Sequence, residues 1–157
     1  MLKNAHLILF IVAVCIAKPL FAQNKRVKSI TIKHVSFSIL TDEKINCEDF
    51  EKDFGEEMVI TEIGDTAINT QIIKRKNKLV KDSLSMYLPD TRGKIIIIYE
   101  DGNADVICLS NFAICLNGSP MKFDKKFLDY IKDIITHTKK RVSLGKQKHL
   151  NKQAVSK

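Results

Sequence analysis

The sequence is poor in the patterns by which catalysis and metal binding usually announce themselves. It has only four cysteines and four histidines, and no two stand at C-x-x-C or H-x-x-x-H spacing, so no metal site is marked by ligand spacing. It has no glycine-rich phosphate loop, no G-x-S-x-G elbow and no dinucleotide fingerprint, which sets aside the enzymes those motifs mark. No cofactor is implied. No apolar run reaches the roughly 20 residues that a membrane-spanning helix needs. Residues 137–157 contain neither an acidic nor an aromatic side chain, so base stacking is not indicated and nucleic acid is a disfavoured partner.

What is there begins with an export signal. Met1-Leu2-Lys3-Asn4 precedes the apolar run Ala5–Ala17, which Lys18 and Pro19 close, and Ala22 offers a small residue before Gln23. Cleavage is expected after Ala22. Ala17 is the alternative, because Leu20 is large for its place before the mature N-terminus. Val14, not a small residue, precedes Cys15, which argues against a lipid anchor there. The expected organisation is a signal peptide at 1–22, a single domain at 23–136 and a basic, disordered tail at 137–157. The expected location is periplasmic or extracellular, with no transmembrane helix after cleavage.

The formal net charge of +8 is concentrated at the end of the chain. The tail holds Lys139, Lys140, Arg141, Lys146, Lys148, Lys152 and Lys157. Setting these aside with Lys3 and Lys18 leaves 17 basic against 18 acidic residues, so the body carries about −1. The tail, and not the domain, is therefore the part suited to salt-sensitive contact with a polyanion or an anionic membrane surface, through Lys139, Lys140, Arg141, Lys146 and Lys148.

Within the body, "VKSITIKHVSFSI" from Val27 alternates with period two and predicts a long strand. Its apolar parity shifts between Ile32 and Val35, which predicts either a bulge near Lys33 or His34 or two short strands. "INCEDFEKDFG" predicts a short helix with Asn46 as N-cap, Ile45 and Phe50 as a hydrophobic staple, and Gly55 past its end. "MVITEI" predicts a short strand. Asp65 caps a predicted helix through "TAINTQIIKRKNKLVKDS", with Ile68, Ile72, Leu79 and Val80 on its apolar stripe and Lys74, Lys78 and Lys81 in a row on another face. The run from Lys94 to Phe123 predicts four antiparallel strands near 94–100, 103–109, 112–116 and 119–123, turning at Asp101-Gly102 and Asn117-Gly118. Asp124 then caps a final helix with Phe127, Ile131, Ile134 and Ile135 on one side. The fold class is α+β, an antiparallel meander of four to five strands with about three helices, one capping the C-terminal end of the domain.

Two-residue turns would put Ile96, Ile98, Ile107, Leu109, Phe112, Ile114, Leu116, Met121 and Phe123 on the core face. They would put Ile95, Ile97, Tyr99, Cys108 and Cys115 on the other. An Asn111-Phe112 turn sets Cys108 opposite Cys115, and a Ser110-Asn111 turn sets them diagonally. Three arrangements stay open: free buried thiols, a Cys108–Cys115 disulfide, or a bridge from either to Cys47.

Cys47 also lies in the first turn of a predicted helix, where a thiol can become a nucleophile, with only the remote His34 and His137 as partners. His34 itself reads as a surface or cap residue. Asp90, Glu100, Asp101 and Asp105 gather at hairpin ends, where a carboxylate pair or a calcium site is conceivable, although turns attract Asp for local bonding. Taken together, the signal ending "FAQ", the segment "INCEDFEKDF" and the run "TRGKIIIIYEDGNADVICLSNFAICLNG" resemble small exported proteins of unknown function common in Bacteroidetes-type bacteria. The resemblance implies an α+β fold in the cell envelope or outside it, and carries over no catalytic residue. The expected function is a non-enzymatic binding role toward an envelope or extracellular partner, through one sheet face or an edge strand. The alternatives are a thiol-dependent or hydrolytic envelope enzyme, and a polyanion or membrane-surface binder acting through the tail.

Overall fold

Period-two patterning at both ends of the body resolves into one antiparallel sheet. The structure, a computed structural model, describes residues 25–138. The signal peptide expected at 1–22 and the tail residues Lys139, Lys140, Arg141, Lys146 and Lys148 lie outside the described residues. In chain order come β1 (Val27–His34), α1 (Phe50–Phe54) running into a 3₁₀ turn (Gly55–Glu57), β2 (Val59–Glu62), α2 (Thr66–Lys76), β3 (Gly93–Tyr99), β4 (Ala104–Leu109), β5 (Ile114–Leu116) and β6 (Ser119–Met121). A third helix, α3, occupies residues 125–138. The fold is α+β. The strands form one six-stranded sheet in the order β2-β1-β3-β4-β5-β6, all pairs antiparallel. The meander supplies four strands, and β1 and β2 both join it, so the sheet exceeds the four to five expected.

One sheet face is the main core. Ile30, Ile32, Ile95, Ile97, Ile107 and Leu109 are fully buried there, under Ile72 of α2 and Phe127, Leu128 and Ile131 of α3. Both covering helices start where aspartate caps them. Asp65 accepts from the Ala67 and Ile68 amides at 2.8 and 3.2 Å, and Asp124 from the Phe127 amide at 3.0 Å. α2 is shorter than its pattern predicts, because Leu79 packs on the core from beyond the helix and Val80–Asp82 runs beside β6. Lys74, Lys78 and Lys81 therefore do not share one helix face. α1 is shorter still: Asp49, with no side-chain cap bond, stands at its start in place of Asn46, and Gly55 ends it at φ +44°.

The first hairpin corrects the expected faces. Its loop holds three residues, Glu100 to Gly102, with the Tyr99 amide donating to the Asn103 carbonyl and Gly102 in the left-handed region at φ +81°. Relative to a two-residue turn, that shifts β3 against β4 by one position and exchanges its faces. Ile95 consequently stands opposite Ile107, and Ile96 opposite Val106. Ile95, Ile97 and Tyr99 are core, whereas Ile96 and Ile98 lie on the second face. The last turn is as expected, Asn117-Gly118 at φ +49° and +75° with Ile114 opposite Met121. Phe112 and Phe123 lie beyond the paired residues and are exposed, at 82% and 44%, so neither belongs to the core.

The parity shift near His34 is neither a bulge nor a second strand. β1 ends at His34, and Val35 turns into a separate small cluster with Phe50 and Phe54. The bulge in β1 falls at its start, between Val27 and Ser29. His34, expected at the surface, is 7% exposed.

The register makes a direct prediction. Ile95→Ala should lower unfolding free energy in urea by about 3 kcal/mol or more, and Ile96→Ala by no more than about half of that. The reverse order would mean that the three-residue turn is wrong.

Candidate binding surfaces

The second sheet face is divided by a disulfide. Cys47, just ahead of α1, is bonded to Cys108 on β4, with Cα atoms 5.8 Å apart at a sequence separation of 61. Cys115 is free and buried, and burial pushes its thiol pKa up. The Cys108–Cys115 bridge is thus not the one formed, although the Asn111-Phe112 turn does set the two directly opposite. Ladder geometry supplies the reason. The Ser110 amide bonds the Ala113 carbonyl and the Asn117 amide bonds the Val106 carbonyl, so by alternation Cys108 and Cys115 form a hydrogen-bonded pair. Such pairs hold their Cβ atoms about 5.5 Å apart, further than non-bonded pairs do and beyond the roughly 3.5–4.5 Å that a disulfide spans. With its sulfur bonded to Cys108, Cys47 offers no thiolate nucleophile.

The bridge fastens the 35–54 segment over one half of this face. Lys33 and Lys94 stand directly opposite on β1 and β3, an arrangement that repels. Glu51 of α1 resolves it, accepting from Lys33 Nζ at 3.1 Å and Lys94 Nζ at 2.8 Å. Burial opposes ionisation of Glu51, but these two bonds outweigh it and hold its pKa below the usual carboxylate range. Lys94 also donates to the Cys47 carbonyl at 3.0 Å. At the sheet end Arg92, 5% exposed, makes a two-pronged pair with Asp90 at 2.8 Å for each bond. It donates as well to the Ile39 carbonyl and the Thr41 hydroxyl. The loop between β1 and α1 is thereby anchored at both ends.

The other half of the face is open. Ile96, Ile98 and Val106 run across it beside the partly buried Ser29 and Thr31. It adjoins β2, a sheet edge whose Val59 and Ile60 are 42% and 57% exposed. The Ile63 amide donates to the Ile30 carbonyl at 2.9 Å; by alternation Thr61 and Val59 also face β1, and the backbone groups of Ile60 and Glu62 point outward. Among the described residues no backbone bond closes this edge. The opposite edge is closed: Lys122 donates to the Val80 carbonyl at 2.8 Å and Asp82 to the Pro120 carbonyl at 3.0 Å.

The carboxylates at the hairpin ends do not converge. Asp101 binds Asn103 and Lys25, Asp90 holds Arg92 and the Ile45 amide, and Asp105 accepts from Lys76, from the Tyr99 hydroxyl at 2.6 Å and from Asn117 at 2.8 Å. Burial alone would raise the Asp105 pKa, yet these donors lower it to about 2. Among the described residues no group of three or more His, Cys, Asp or Glu side chains could hold a metal ion, and no helix is long and apolar enough to cross a membrane. A groove of about 470 Å³ lies between the chain leaving β1 and α3, where Lys132 spans from the Phe37 ring to Asn111 beside His34, Ser36 and Ser38.

No family model, curated protein or solved structure matches the chain. The lysine pair under Glu51 and the open β2 edge are not marked by any motif. The only sequence signal for either is the shortness of "MVITEI" between acidic turns.

Two outcomes follow. The Asp105 pKa is depressed on folding, so its contribution is present above pH 3.8 and is lost as pH falls toward 2. Asp105→Asn should therefore remove on the order of 2 kcal/mol of acid-dependent stability, read as a flattened stability profile between about pH 5 and pH 2. Replacing Cys47 and Cys108 together by alanine should cost about 2–4 kcal/mol in urea unfolding.

Proposed function

We propose that the protein is an exported, non-catalytic binding module that pairs an extended segment of an envelope or extracellular protein against the outer edge of β2. The observation that carries this reading is the asymmetry of the sheet: the Val80–Asp82 segment covers the β6 edge, and nothing among the described residues covers β2. Open apolar edges are normally blunted by shortness, charge, proline or a bulge; β2 has no lysine, proline or bulge, and its four-residue length and Glu62 restrict it to a short partner segment of opposite charge. An added strand would gain main-chain bonds from Ile60 and Glu62 and apolar contact from Val59 and Ile60. Glu56 and Glu57 before the strand and Glu62 within it favour a partner segment that alternates apolar residues with lysine or arginine. Export supports the reading through the N-terminal signal pattern and, weakly, through the disulfide.

The test uses proline as a blocker. Ile60→Pro removes an outward amide and leaves the β1 ladder whole; Thr61→Pro breaks that ladder. A labelled peptide alternating valine with lysine should bind in fluorescence anisotropy, and one alternating valine with glutamate should not. Ile60→Pro should weaken binding by up to about tenfold, as loss of one net hydrogen bond dictates, while keeping native circular dichroism. Equal binding by Ile60→Pro, or by both peptides, would sink the proposal.

A further inference from the structure

Where the chain leaves β1, the segment Val35–Ser38 and the last turns of α3 leave a groove of about 470 Å³ between them. Its walls are largely apolar, from Val35, Phe37 and Ile135, and no carboxylate lines it. A small-molecule site has this volume and this kind of lining, with a few polar groups to orient the ligand.

The chief polar group here is a cation already in place. Lys132 Nζ donates to Asn111 Oδ1 at 2.8 Å and stands 4.6 Å from the centre of the Phe37 ring. Asn111 is itself fixed, its amide donating to the Phe37 carbonyl at 2.8 Å. An ammonium carries three protons, of which Asn111 takes one. Lys132 is unlike the other partly buried lysines of the described residues, Lys33, Lys76 and Lys94. Each of those meets a carboxylate, Glu51 or Asp105, whereas Lys132 is in no ion pair among the described residues. On the facing wall the Ser36 and Ser38 hydroxyls bond each other at 2.8 Å, which uses one of their two protons.

We infer that this groove binds a small monocarboxylate with an apolar body, its carboxylate on Lys132 and its body against Val35, Phe37 and Ile135. The carboxylate supplies the counter-charge that Lys132 lacks. Because Asn111 and Phe37 hold the cation before a ligand arrives, little rotamer freedom is lost on binding. A phosphate has more charge and more acceptor oxygens than one ammonium serves, and a cationic ligand finds no carboxylate in the lining. The groove shares no residue with the β2 edge, so the inference stands apart from the binding role proposed there.

Octanoate, octanol and inorganic phosphate separate these features. In amide-resolved NMR titrations of the chain from Gln23, which retains every described residue, octanoate should move the signals of Ser36, Ser38, Ile135 and Thr136 to saturation. Octanol, with the same body and no charge, should bind at least tenfold more weakly, and phosphate should leave those signals in place. Lys132→Met keeps the apolar stem and removes the charge, and should weaken octanoate binding tenfold or more. Ser36→Trp, at an exposed position on the rim, should fill the groove and abolish binding with native circular dichroism retained. Lys125→Met, on the exposed side of the same helix, should bind octanoate unchanged. Full affinity in Lys132→Met, equal binding of octanol, saturable phosphate binding at the same signals, or shifts confined to residues 139–157 would each overturn the inference. Absence of any octanoate binding would overturn it as well.

Discussion

An open sheet must do something with the backbone groups on its two outer edges, and in this protein the rest of the architecture follows from the different answers given at each. At β6 the segment after α2 returns beside the strand, and Pro120 fits there because its missing amide lies on the outward side. That return requires α2 to stop at Lys76 and gives Leu79 to the core from outside the helix. At β2 no such segment returns among the described residues. The same sheet is finished on one side and left ready for pairing on the other.

The two faces are also treated unequally. Helices α2 and α3 cover the main face by apolar contact, joined at its margin by Lys76 of α2 bonded to Asp105 and the Tyr99 hydroxyl, whereas the second is half covered by a segment too polar to bury itself without fastening. The Cys47–Cys108 bridge, the Lys33–Glu51–Lys94 arrangement and the Arg92–Asp90 pair do that fastening. Glu51 is the pivotal member. Without it two lysines would oppose each other across the ladder with no neutralising partner, and the strap over them would lose its electrostatic reason to stay.

Several features were legible in the residues themselves. The caps Asp65 and Asp124, the Asn117-Gly118 turn and the order of the meander rest on local chemistry that tertiary context does not overrule. The faces of β3 were not legible, because Asp101-Gly102 serves a two-residue and a three-residue loop equally well and a single added residue exchanges Ile95 for Ile96. With isoleucine at every position from 95 to 98, hydrophobicity could not decide between the faces. The disulfide partner was open for a similar reason: whether Cys108 and Cys115 stood opposite or diagonal depended on the turn between them, and no local signal joins Cys108 to Cys47, 61 positions away. The β2 edge carries no motif, since it is defined by what, among the described residues, fails to cover it.

Exchange of individual backbone amides for deuterium reads the state of the β2 edge directly. The Ile60 and Glu62 amides should exchange at loop-like rates, while those of Thr61 and Ile63, and of Asp82 and Lys122 at the far edge, should be protected. Protection of Ile60 and Glu62 equal to that of Thr61 would show the edge already closed and would contradict the account.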